Sequence, residues 1–177
     1  VTPRLPPVPY EEWDFEALSI IMPPGRKPPP SNMLGMFAHH PRLAKAFLRY
    51  NNHLLFRSSL PARDKELAIL RVAWRRRCRY EWAQHVIFAR EAGVTDEELA
   101  GIRTGADTLI NRAVDELEEA GALSEATYAE LAEGYDTHQL LDFVFTVGTY
   151  GLLAMACTTF GVELDPGIPD ENFDSPD

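Results

Sequence analysis

An all-helical domain is what this sequence predicts, and three observations carry the prediction. Apolar residues recur at three- and four-residue spacing from Met33 to Phe160, capping residues stand where those runs begin and end, and strand-like alternation appears nowhere. Periodicity and punctuation are independent signals, so their agreement strengthens the prediction. The 177 residues, 45% of them hydrophobic, suffice for one domain with a sizeable core.

Residues 1–31 form a proline-rich arm, with Pro3, Pro6, Pro7, Pro9, Pro23, Pro24, Pro28, Pro29 and Pro30. Proline fixes φ and removes a donor, so the arm is expected to be extended apart from a short helical turn at Tyr10 to Leu18. Trp13, Phe15, Leu18, Ile20, Ile21 and Met22 make it apolar enough to pack on its own domain or on a neighbouring subunit. The domain proper is expected over residues 32–165. It opens with helical spacing at Met33, Met36 and Phe37, then, after Pro41, at Leu43, Ala44, Phe47, Leu48 and Leu55; proline suits the first turn of a helix.

Two central helices are expected at Leu60 to Arg77 and Arg79 to Ala92, the first capped by Ser59 or opened by Pro61. Gly93 suits the residue after the second, and Thr95-Asp96-Glu97-Glu98 is a capping-box pattern for a short third. A helix follows from about Ala106 to Ala120, ended by Gly121, and another opens at Ser124. The last, Asp136 to Phe160, is the least polar and reads as a helix buried in the core. Residues 166–177 form an acidic tail, too polar to fold alone.

Several function classes are set aside by composition. A net charge of -10 argues against nucleic acid as a partner. No uncharged apolar run reaches 18 residues, so a membrane span is not expected. No basic segment followed by an apolar one opens the chain, hence no secretory signal is expected. Cys78 and Cys157, two thiols far apart in sequence, suit a reducing cytoplasm better than a disulfide framework. The arginine run Arg71, Arg75, Arg76, Arg77 and Arg79 could steer an anionic substrate, but most of it reads as a solvated helix end paired with acids.

Chemistry concentrates at Cys78, Glu81 and His85, which sit at i, i+3 and i+7 and share one helix face. Glu66 lies on the preceding helix, where packing could bring its carboxylate to the same place. The bland reading of Glu81 and His85 is a surface pair stabilising a helix by about 0.2–0.5 kcal/mol. Apolar surroundings, Val72, Ala73, Trp74, Trp82, Val86 and Ile87, favour a desolvated carboxylate with a raised pKa, as a general acid needs. Glu66 reads equally as an acid paired with Arg63 or Arg71. His53 precedes an apolar run and could reach the site.

The pattern Glu66, Cys78, Glu81, His85, with Leu60-Pro61-Ala62-Arg63 before it and Gly93-Val94-Thr95 after, resembles the alkylhydroperoxidase D (AhpD) and carboxymuconolactone decarboxylase superfamily. The resemblance extends from about Met33 through Asp165. The peroxidase branch has Cys-x-x-Cys where this chain has Cys78 and Glu81, whereas Glu81-Trp82-Ala83-Gln84-His85 is similar to the Glu-x-x-x-His of the decarboxylase branch. The resemblance implies an AhpD-like helical domain, homo-oligomeric and without cofactor or metal, acting on a small organic acid or lactone by decarboxylation or related proton transfer. In that reading His85 and Glu81 exchange protons, Glu66 orients His85, Cys78 and Trp82 line the substrate site, and Arg63 or His53 holds the substrate anion. Two other classes stay open: a thiol-dependent alkylhydroperoxidase using Cys78, and a non-catalytic oligomeric scaffold. Glu81 cannot resolve a sulfenic acid, so the peroxidase reading needs Cys157 within disulfide reach.

Overall fold

A computed structural model describes residues 2–171 and Phe173. The described residues fold into helices and connections, with no strand among them. Internal contacts divide the chain into two compact units, Val1–Ser58 with Ala156–Gly167, and Ser59–Met155 with Ile168–Asp177.

In the first unit the arm packs on its own chain. It makes 3-10 turns at Tyr10–Glu12 and Ser19–Ile21 around a one-turn helix, α1 (Phe15–Leu18), capped by Asp14. Trp13, Ala17 and Leu18 are buried, and the Trp13 indole donates to the Val8 carbonyl at 2.9 Å. Helix α2 (Asn32–Phe37), capped by Ser31, and α1 both pack on α3 (Pro41–Phe56). Gly35 is dictated by this packing, because a Cβ there would stand 2.5 Å from that of Pro7. The chain's later segment is tied in as well: Arg4 and Leu5 donate backbone N–H groups to the Phe160 carbonyl, and Asn32 donates its own to Asp165 at 2.6 Å.

The second unit is built around α4 (Ala62–Arg75), which touches α5 (Arg79–Glu91), α6 (Asp96–Thr104) and α7 (Leu109–Ala120), while α7 packs on α8 (Glu125–Gly134). Every residue of α4 from Ala68 to Ala73 is buried, so it is the core helix of this unit. Of the expected punctuation, Thr95 and Glu98 form a complete capping box, Ser124 caps α8, and Gly93 and Gly121 take positive φ after helix ends; Thr108, not expected, caps α7, which begins at Leu109 rather than about Ala106, and Gly105 takes positive φ after α6. Helix α4 begins after Pro61 with no side-chain cap, because Ser59 instead directs both its N–H and its hydroxyl to the Asp142 carboxylate. Helix α5 begins at Arg79 as expected, with Cys78 at its N-cap, after a turn at Arg77, whose φ is +53°.

Phe173 is buried against Trp74 and Trp82, the Arg77 guanidinium lies over its ring, and Arg79 and Arg90 pair with Asp170 and Glu171. An aromatic residue in an otherwise acidic stretch thus joins an apolar cluster. Helix α9 (Thr137–Phe160) is only half buried, although its length and composition would let it cross a membrane. In the second unit its inward side carries the polar Asp142, Thr146 and Thr149 beside Phe143, Val147, Tyr150 and Leu153. Leu141, Val144, Phe145, Leu152 and Met155 are exposed.

Candidate active site

Helices α4 and α5 of the second unit bring Glu66, Glu81 and His85 into the protein interior, each no more than 7% exposed. His85 lies one helical turn after Glu81, and its ring reaches across to α4, where Nδ1 stands 2.7 Å from Glu66 Oε2. A carboxylate only accepts, so Nδ1 is the donor in this pair. Glu66 has a second, longer ion pair, 4.0 Å to the Lys65 ammonium. The expected partners Arg63 and Arg71 are engaged elsewhere.

Glu81 is in the opposite condition. Both of its carboxyl oxygens are buried without a hydrogen-bond partner. Burial foremost, then the neighbouring Cys78 sulfur and more remotely Glu118, hold its pKa well above the ordinary carboxylate range. Such a carboxyl holds its proton to higher pH than a solvated one does. Cys78, 2% exposed and in no disulfide, is the neighbour that the spacing suggested.

Tyr150 is the residue that sequence reading missed. Its ring meets that of His85 edge-on, with centroids 4.9 Å apart at 90°. Burial, then Glu66 and Glu81, push its hydroxyl well above the usual phenol range, so it stays a donor. A signal was available in the polar series Asp142, Thr146, Thr149, Tyr150, whose helical spacing marks one face of an otherwise apolar helix.

The remaining expected residues lie apart from this cluster or are described with the other unit. Trp82 is fully buried against Trp74 and Phe173, because one step along a helix from Glu81 turns the side chain by about 100°. Arg63 forms an ion pair with Glu98 of α6. His53 is an exposed residue of α3, and Cys157 is a buried free thiol; both belong to the first unit. The arginine run is largely paired: Arg71 with Asp115, Arg75 with Asp115 and Glu119, Arg76 with Glu118, and Arg79 with Asp170. Among the described residues, no three His, Cys, Asp or Glu side chains are grouped to hold a metal ion.

A profile of the carboxymuconolactone decarboxylase family matches residues 41–120. That span includes Glu66, Cys78, Glu81 and His85. None of the curated proteins matches the sequence. Among solved structures, an uncharacterized peroxidase-related protein with an alkylhydroperoxidase AhpD core from Ralstonia eutropha JMP134 is similar at TM-score 0.70 and 17% identity, over 91% of this chain and 88% of its own. An uncharacterized peroxidase-related protein from Silicibacter sp. TM1040 is similar at TM-score 0.69 and 16% identity, over 94% and 91%. A protein of unknown function from Agrobacterium tumefaciens, named as a candidate antioxidant defence protein AhpD, is similar at TM-score 0.64 and 16% identity, over 73% and 94%. At these identities the likeness is one of fold.

Proposed function

We propose that this chain, whose residues 41–120 match the carboxymuconolactone decarboxylase family and whose helical fold is AhpD-like, is a cofactor-independent enzyme moving protons on a small organic acid or lactone. One observation carries the reading: a His85–Glu66 dyad stands one turn from Glu81, a carboxyl whose pKa burial raises well above the ordinary range. In the decarboxylating form of the reaction, the substrate carboxylate leaves as carbon dioxide and its bonding pair becomes an enolate. Glu81 gives its proton to the enolate carbon, the Tyr150 hydroxyl donates to the enolate oxygen, and His85 returns a proton from water to Glu81. Without loss of carbon dioxide, the same groups catalyse exchange or isomerisation: His85 Nε2 removes the proton beside a carbonyl and Glu81 supplies another.

The test follows carbon dioxide release and deuterium uptake by NMR, using carboxymuconolactone-type substrates in deuterated water. We expect His85→Gln to lose at least about 100-fold in rate. A His85→Gln variant with full turnover would exclude the assignment.

The names of the structural relatives favour one second reading, a thiol peroxidase using Cys78. There the Cys78 thiolate attacks the peroxide O–O bond, yielding a sulfenic acid and an alcohol, and a second thiol must then release water and close a disulfide. A peroxide-dependent Cys78–Cys157 bridge on a non-reducing peptide map supports it; unchanged free thiols exclude that cycle.

We also propose self-association through α9. Leu141, Phe145, Gly148, Leu152 and Met155 follow a four-three spacing, the seam of two packed helices. Gly148 has open space at its Cβ position, which permits close approach of a second copy's helix. Light scattering should show an oligomer that Leu152→Glu dissociates; a wild-type monomer would end the proposal.

A further inference from the structure

A cavity of about 400 Å³ opens in the second unit among α4, α6, α7 and α8, and none of Glu66, Glu81 and His85 lines it. Asp64 lies roughly 200° round the helix from Glu66, and Leu67 roughly 100°. The walls are mostly apolar, with Leu67, Ile102, Leu109, Ile110 and Leu131. Such a volume, apolar lining and few polar groups are the attributes of a small-molecule site.

The charges at its edge decide the ligand. Arg63 is matched by Glu98, and Glu130 is matched by Arg112. Asp64 remains, and the partner it faces is neutral: the Tyr135 hydroxyl donates to its Oδ2 at 2.8 Å. A carboxylate has about four lone-pair positions, and the tyrosine oxygen that donates can also accept. The cavity therefore ends in a carboxylate with no ion pair among the described residues, beside an aromatic ring and with acceptor capacity to spare. A cation beside an aromatic ring gains from the ring's quadrupole as well as from the carboxylate.

We propose that this cavity binds a small organic monocation, a primary or secondary ammonium carrying an apolar body, with its head between Asp64 and Tyr135 and its body against Leu67, Ile102 and Leu131. The site is separate from the acid/base cluster and does not depend on the reaction assigned to it.

The test uses the whole chain and three probes of similar shape: phenethylammonium, 2-phenylethanol and 3-phenylpropionate, titrated by calorimetry and by NMR. The ammonium should bind at least about tenfold tighter than the alcohol, and the carboxylate most weakly, as expected for a charged hydrogen bond. Asp64→Asn should remove that preference, whereas Asp64→Glu should retain part of it. Leu131→Phe, which fills the cavity, should abolish binding; if it fails to fold, Leu109→Phe replaces it. His85→Gln should leave ammonium binding unchanged, and that separates this site from the proposed active site. Equal binding of all three probes, binding of none, or an unaltered preference in Asp64→Asn would each overturn the proposal.

Discussion

Two faces of the α4–α5 pair handle charge in opposite ways. Toward α7, Arg71, Arg75 and Arg76 each meet a carboxylate, and Arg71 makes two parallel 2.7 Å hydrogen bonds to Asp115 and a third, of 2.6 Å, to the Ile102 carbonyl. Around His85, two carboxyl groups, a thiol and a phenol are buried, and Glu81 has no hydrogen-bond partner. The regions communicate at Glu118, which pairs with Arg76 while helping to raise the Glu81 pKa. Matched charges hold helices together, and unmatched ones leave a proton available. The difference implies that substitutions on the first face act mainly on stability, and those on the second mainly on proton chemistry.

The largest expected effect falls on the matched face. Arg71 is 7% exposed, so Arg71→Ala takes two donors from Asp115, which keeps its ion pair with Arg75, and leaves the Ile102 carbonyl without the guanidinium it accepts from. Removing one member of a buried pair costs about 3–5 kcal/mol, which urea denaturation would read directly. Activity per folded molecule should be preserved. A loss below about 1 kcal/mol would mean that solvent screens this pair as it screens surface ones.

Glu81 should behave in the reverse sense. Its pKa in the folded chain lies above its unfolded value, about 4.3 for a free glutamate. The folded form therefore retains a proton that the unfolded form releases. This contribution to stability is complete below the unfolded value and is lost as pH rises through the folded pKa. Glu81→Gln, which cannot ionise, should match the wild type near pH 4 and exceed its stability at pH 8 by about 1 kcal/mol or more, the linkage cost the wild type bears as pH rises above its unfolded value. Denaturation midpoints across pH would show it, and parallel pH profiles for the two proteins would refute the buried neutral carboxyl.

The same contrast explains what could be read in the sequence. Helices and caps were legible because spacing and cap chemistry are local: Thr95 with Glu98, Ser124 and Gly121 act within a few residues of themselves. Glu66, Glu81 and His85 were legible as candidates for the same reason, two of them lying one turn apart. Partner choice was not legible. Whether Glu66 would meet Arg71 or His85 depends on which face of α4 each neighbour covers, and that is tertiary. Tyr150 lies 65 residues from His85 and carries no local mark beyond the polar series on its own helix. The anchoring of Phe173 depends on a Trp74–Trp82 cleft assembled from two helices and was equally out of reach.

The smallest stability effect, and the sharpest test of the contrast, belongs to Tyr150→Phe. The ring fills the space beside His85 and is retained, so the edge-on contact survives and only the hydroxyl is lost. The stability change should stay within about 1 kcal/mol, the typical net value of one hydrogen bond. Activity should fall much further, because a donor aimed at a developing oxyanion is typically worth about 100-fold or more in rate. Parallel measurement of deuterium exchange and urea denaturation would separate the two roles. A large loss of exchange with little loss of stability assigns the hydroxyl to the chemistry. If stability and exchange instead fell together, Tyr150 would belong with the matched face as a packing residue, and the acid/base cluster would be reduced to Glu66, Glu81 and His85.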